Sequence, residues 1–455
     1  ASAPTDLSSP GNWDGGALPG NGDVGVVDYS TYAGGNTLSV SSDMALAGLR
    51  ITNASAAVTM TGAGTLSLGA DGLAYDAAQT FTLRAPVAVT APQFWNFALG
   101  TFESWSTISG TDALCVTNCG ILNFRAAPQF DGDLTCHAMG VRHYTTGKVA
   151  RKLVTRMSTG KDQKDNHNYF LFGGEARWSD MFTGGTYEYI NWRRFFLSVT
   201  NNAVEVPSVI MDSDSDYLYQ HGPYRTGVSA GRFDQRAGKL YSQSYGFAVG
   251  TPDNEGFINN HGDYPAEYRI SGSALFDMAY LFVGGGSQKA ANHPFVVQNG
   301  GTVKVGKGLY VGGDSSSATP GFGEYVMSNG TLTAGISNNG SDHQTRGIVL
   351  CQPFGGAGTS PGVFTLAGGS ASAFAVKFGP DTAAWGAAAP AVNNGFGLFE
   401  MTGGTLDLRA TSFSLGQGWN KTATNSTYRI NLSGGQVDFA AAQTIKTDLF
   451  FPSGG

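Results

Sequence analysis

Asp212-Ser-Asp214-Ser-Asp216 sets three carboxylates at alternate positions. In an extended segment alternate side chains share a face, so the three would converge. Like charges that close repel unless a cation sits among them, and hard oxygen ligands suit calcium. The segment lacks the glycine and distal glutamate of a helix-loop-helix calcium site, and a solvated acidic turn is the competing reading. Cys115 and Cys119 are near enough in sequence to form a disulfide, or are small buried apolar side chains. Acid–base catalysis would need a carboxylate pair, offered by Asp131/Asp133, Asp162/Asp165 and Asp253/Glu255. Arg193/Arg194 or the Lys161–Lys164 loop would supply cations. None of these has a distinctive spacing, and chance pairs are expected among 34 acidic residues. The seven histidines (137, 143, 167, 221, 261, 293, 343) show no metal spacing. No catalytic residue is assigned, and calcium is the one cofactor considered.

Aromatic residues crowd one region: Trp178, Tyr187, Tyr189, Trp192, Tyr217, Tyr219, Tyr224 and Tyr241. Exposed, they would stack on sugar rings or hold a protein partner; buried, they would form a core. Trp178, Tyr187, Trp192, Tyr217 and Tyr219 are the ligand-surface candidates. Charge gathers in the same region. Residues 137–200 hold ten Lys/Arg against five Asp/Glu, and 201–280 hold five against ten.

These residues must be positioned by strands. From Tyr268 to Phe439 one pattern recurs: an aromatic or Ile, alternating apolar residues, then Asn-Gly or Gly-Gly. It reads Phe295–Gly300, Tyr325–Gly330, Phe364–Gly369, Phe399–Gly404 and Ile430–Gly435, in steps of 30, 39, 35 and 31 residues. A second strand travels with it, since Leu281-Phe-Val-Gly-Gly285 returns as Leu309-Tyr-Val-Gly-Gly313. Alternation makes half-buried strands and glycine supplies the turns. A strand-turn unit at this period is the mark of a stacked solenoid, with loops of varied length leaving a constant coil. Glycine at 66 of 455 residues, with only 13% charged, fits many short strands and tight turns. No apolar run approaches the ~18 residues of a membrane helix, and a net charge of -7 argues against nucleic acid.

The organisation expected is a cap (1–30), coils (31–136), coils with charged and aromatic insertions (137–267), regular coils (268–440) and a tail (441–455). Trp13 and the Leu18-Pro19-Gly20-Asn21-Gly22 turn would cover the first coil. The tail residues Ile445, Leu449, Phe450 and Phe451 are apolar and β-prone, and are expected to pack on a neighbouring copy. The small residues of Ala1-Ser-Ala-Pro suggest the mature end of an exported chain.

Trp13 with Leu18-Pro19 and Gly22-Asp23, then Gly64-Thr-Leu66-Ser-Leu68-Gly69, resembles the autotransporter-associated β-strand repeat proteins. The resemblance spans roughly residues 12–75 and 268–440. It implies an all-β, right-handed parallel β-helix in an extracellular bacterial protein of display, adhesion or matrix building, with no catalytic residues to carry over. The reading is therefore a secreted, non-catalytic, self-assembling structural subunit. A polysaccharide lyase or hydrolase, or a surface-glycan binder using the aromatics, is the alternative.

Overall fold

The computed structural model describes residues 5–31, 35–156, 167–170, 174–190, 194–197, 208–221, 226–228, 231–242, 246–250, 266–284, 293–312, 322–335, 347–350, 361–378, 396–408, 417–418, 427–439 and 449–452. The chain is nearly all β, and every strand pairing given for these residues is parallel. The one α-helix among them is the four-residue Trp178–Met181. Two compact units divide the chain, residues 1–194 and 195–455.

In the first unit a strand returns about every 20 residues and pairs with its predecessor. Thr37–Ser39 is followed by Val58–Thr61, Phe81–Leu83 and Thr101–Ser104, then by the second half of Leu114–Phe124 and of Asp133–His143. Register carries like residues over like. Val58, Phe81, Phe102, Leu122 and Val141 form one inward column, all at most 1% exposed. Thr37, Thr59, Thr82, Glu103, Asn123 and Arg142 form the outward column beside it. A second series runs through Leu49, Leu73, Trp95, Val116 and Cys136, also inward. Each buried Leu, Val or Phe contributes ~1.5–3 kcal/mol, so the columns hold the strands together. At the start, Trp13 donates from Nε1 to the Leu7 carbonyl (2.7 Å) and lies so close over Gly25 that a Cβ there would come within 2.8 Å of its ring.

The second unit repeats the plan with longer steps. Tyr268, Val296, Tyr325, Phe364, Phe399 and Ile430 stand one above another, fully buried. Tyr325 stacks on Phe364 at 5.2 Å and Phe364 on Phe399 at 5.7 Å. The repeat glycines stack too. Gly404 has φ +76, and a Cβ on it would stand 2.7 Å from the Gly369 oxygen of the turn beneath. Both the left-handed backbone and the close approach demand glycine there. One repeat copy is slid by a residue. Val296, not Phe295, sits under Tyr325, because the left-handed glycine of this copy is Gly301, five residues after Val296 as Gly330 is five after Tyr325. Phe295 faces outward instead, partly exposed.

Three strand series make up this unit, and their outer surfaces differ. The series with Leu275–Val283, the middle of Phe295–Val311, Ser370–Ala373 and Thr405–Leu408 turns Thr302, Lys304, Thr331, Thr333, Ser370 and Thr405 outward. Gly246–Val249, Gly347–Leu350 and Val376–Phe378 are instead buried on both faces. Their outward residues Ala248 and Val349 join Phe282 and Tyr310 in a separate apolar cluster.

Candidate functional site

The acidic run does not converge. Residues 212–216 form a turn rather than a strand, so the alternation argument fails. Asp216 points inward, 1% exposed, and its Oδ2 accepts the backbone N–H groups of Asp212 (3.2 Å) and Ser213 (3.1 Å). Asp214 is exposed and accepts a hydrogen bond from Ser273 Oγ (2.5 Å). Among the described residues no group of three His, Cys, Asp or Glu is placed to hold a metal. The Asp212/Asp214/Asp216 calcium reading is corrected accordingly: Asp216 ties down the turn. Burial pushes its carboxyl up to about 6, with the Asp212 charge adding to the rise.

Cys115 and Cys119 do not form the expected disulfide. They share the strand Leu114–Phe124, but the register shifts between Val116 and Cys119, with Asn118 at φ +50. Cys115 therefore faces outward and Cys119 inward, where its thiol donates to the Ile121 carbonyl (3.3 Å). Side chains on opposite faces of one strand cannot reach each other.

The aromatic candidates separate into two kinds. Trp178 and Tyr187 are fully buried, so as ligand-surface residues they are corrected to core. Trp178 donates from Nε1 to the Gly185 carbonyl (2.9 Å) and meets Phe182 edge-on at 5.0 Å. Tyr187 meets Phe182 at 5.3 Å and His143 at 6.2 Å. His143 itself stacks on Phe124 at 5.4 Å, and burial holds its imidazole down to about 3, neutral at physiological pH. Tyr187 lies on the strand Phe182–Ile190, paired in register with Leu153 of Ala150–Arg156, and Trp178 precedes that strand on the short helix. Trp192 lies outside the described residues. Tyr217 and Tyr219 remain half-buried on an outward face. Their rings lie 5.7 Å apart and nearly parallel, and Tyr241 continues the stack 5.1 Å from Tyr219. Lys239 Nζ lies 4.6 Å from the Tyr241 ring.

The carboxylate pairs are tied to cations where they are described. Asp131 holds Lys148, and Asp133 accepts Arg151 at 2.6 Å. The pairs 162/165 and 253/255 lie outside the described residues. The middle charges are likewise paired: Glu267 takes Arg232 of the neighbouring strand (2.9 Å) and Arg269 two residues along its own, Asp234 takes Arg236 two residues on (2.7 Å), and Lys152 takes Glu188 of the neighbouring strand (2.7 Å). The tail is also placed. Leu449–Pro452 pairs in parallel with Thr427–Leu432 of its own chain, so Leu449, Phe450 and Phe451 add a strand to their own sheet rather than leaving it for a neighbour. Ile445 lies outside the described residues.

Compared with family models, curated proteins and solved structures, the chain has no significant match. Its resemblance to the β-strand repeat proteins rests on its own residues.

One arrangement was missed in the sequence. In the first unit the residue that follows each strand of the first series lies over its counterpart: Arg84, Trp105, Arg125, Tyr144. Each donates its backbone N–H to the preceding rung, Trp105 to Leu83, Arg125 to Ser104 and Tyr144 to Phe124. The result is an alternating ladder of cation and ring. The Arg84 guanidinium lies 4.7 Å from the Trp105 ring, that of Arg125 lies 5.9 Å from the same ring, and Arg125 lies 3.9 Å from the Tyr144 ring. Glu103, in the outward column, accepts Arg125 (3.1 Å), Asn123 (3.1 Å) and Trp105 Nε1 (3.3 Å). Burial pushes the Glu103 carboxyl up, but these bonds outweigh it and hold it below the usual range. Trp105 stays 42% exposed. The signal was present as separations of 21, 20 and 19 residues, but residue types that alternate hide a repeat from any search for likeness.

Proposed function

We propose that the chain is a secreted, non-catalytic structural protein of a bacterial surface or matrix, built as a right-handed parallel β-helix and able to self-assemble. The observation that carries this reading is the in-register stacking of parallel strands, with the described charges of the middle region paired to one another along or between adjacent strands. Such a body offers long regular surfaces and two ends, which suits a fibre, sheath or adhesin subunit. Toward its C-terminal end, Val437 and Phe439 continue inward columns above Leu406 and Leu408, and Phe439 is 40% exposed. A glycan-binding role is the second reading, favoured by the partly exposed Tyr217, Tyr219 and Tyr241 stack beside Lys239.

Sedimentation of the purified full chain over a range of concentrations, with negative-stain electron microscopy of the same samples, tests the assembly claim. Species growing in mass with concentration, and filaments on the grid, are expected. A monomer that persists at the highest concentration reached contradicts it.

A further inference from the structure

We propose that the corner formed by Arg84, Trp105 and Arg125 is a receptor for the acidic groups of an anionic glycan, bound through carboxylate or sulfate. The site stands whether or not the chain self-assembles. Arg84 is exposed, and among the described residues no carboxylate lies within ion-pair distance of it. Its guanidinium is nevertheless held, because it lies on the Trp105 ring. The contact restrains the side chain while the residue stays exposed, and an exposed guanidinium can take a carboxylate or sulfate with two parallel hydrogen bonds. Arg125 differs: it is bound to Glu103, with its side chain 29% exposed, and supplies a weaker second cation.

The spacing argues for a glycan over an acidic peptide. Arg84 and Arg125 stand two rungs apart, which is ~10 Å at the usual ~4.8 Å per strand, with the exposed indole rim between them. An extended peptide repeats its same-side groups every ~6.7 Å, out of step with that distance. A linear glycan bearing an acid on alternate sugars presents charge, apolar ring edge, charge. The outward Thr59 and Thr82, in the column beside Arg84, add hydroxyls for its hydroxyl groups.

The test measures binding of the full chain to hyaluronate, which carries a carboxylate on alternate sugars, to keratan sulfate, which carries sulfate without carboxylate, to uncharged dextran and to poly-L-glutamate, at low and at physiological ionic strength. Binding to one or both acidic glycans is expected, weakening with salt, and the two arms separate carboxylate from sulfate as the group recognised. Arg84→Gln should weaken it about tenfold, as loss of a charge-assisted pair implies, and Arg84→Lys should retain part of the affinity. Arg84 is at the surface, so an unchanged melting curve will show that the variant is folded. Trp105→Phe gives a second, independent reduction. Equal binding by Arg84→Gln, equal binding of plain dextran, or poly-L-glutamate bound as tightly as the acidic glycans would each overturn the assignment.

Discussion

Leu406→Asp is expected to unfold the strands around it, with a loss of about 5 kcal/mol. Leu406 is fully buried, between Ala371 on one rung and Val437 on the next. The substitution removes an apolar side chain from a packed column and puts a carboxylate where no cation stands in that column. Either change alone costs several kcal/mol, and a strand paired on both sides transmits the loss to both neighbours. Thr405→Asp is the control, one residue away on the exposed outer face. It should shift stability by only ~0.5 kcal/mol. Urea denaturation followed by circular dichroism reads both. Equal effects of the two variants would mean that the faces have been assigned the wrong way round.

The second large effect concerns a device that repeats inside the coils. Gln298 is fully buried; its Nε2 donates to the Thr331 carbonyl (2.9 Å) and its Oε1 accepts the Tyr325 hydroxyl (2.6 Å). Gln235 does the same for Tyr268, whose hydroxyl lies 2.5 Å from Oε1, and donates to the carbonyls of Gly238 and Leu275. In the first unit Gln93 accepts Trp95 Nε1 at 2.7 Å and donates to the Leu68 carbonyl. Burial pushes the Tyr268 and Tyr325 phenols up, so both stay protonated donors. Gln298→Leu fills a similar volume but strands a buried hydroxyl and a buried carbonyl, at about 3–4 kcal/mol. Adding Tyr325→Phe removes the stranded hydroxyl and should restore part of that loss. If the double variant is instead as unstable as the sum of the two singles, the hydrogen bond between them is not the source.

Much of the fold was legible because its causes are local. Alternation in Tyr325–Met327 and Phe364–Leu366, followed by a glycine that must adopt positive φ, specifies strand and turn without reference to the rest of the chain. Leu281 over Leu309 and Val283 over Val311 came out in the register their likeness implies. The Phe295 copy misled because its Asn-Gly pair ends one residue before the left-handed Gly301, and a match displaced by one residue moves every side chain of the strand to the other face. Gln298 was passed over for a related reason. A polar residue in an apolar alternation reads as outward, and only the neighbouring rungs reveal that its partners lie within.

The site was less legible than the fold. Trp178 and Tyr187 looked like surface aromatics because charged residues surround them in sequence, yet the short helix Trp178–Met181 folds them onto Phe182 and His143. For the aspartates at 212, 214 and 216 an acidic turn stood against an extended calcium-binding run; they occupy a turn, and Asp216 itself sets it, its carboxylate accepting the backbone N–H groups of Asp212 and Ser213. The Arg84–Trp105 ladder depends on which residues lie one rung apart, a quantity fixed by loop lengths that vary.

The central claim is that residues far apart in sequence stand at fixed rung distances. Thr333, Ser372, Asp407 and Asp438 are successive partners in one outward column. Three strand spacings put the backbone of Thr333 ~14 Å from that of Asp438. Spin labels on cysteines introduced at these two positions, measured by pulsed electron paramagnetic resonance, should give one narrow distribution centred near that separation, broadened by the label arms. A distribution centred at twice that distance, or one without a peak, would contradict the stacked parallel coil.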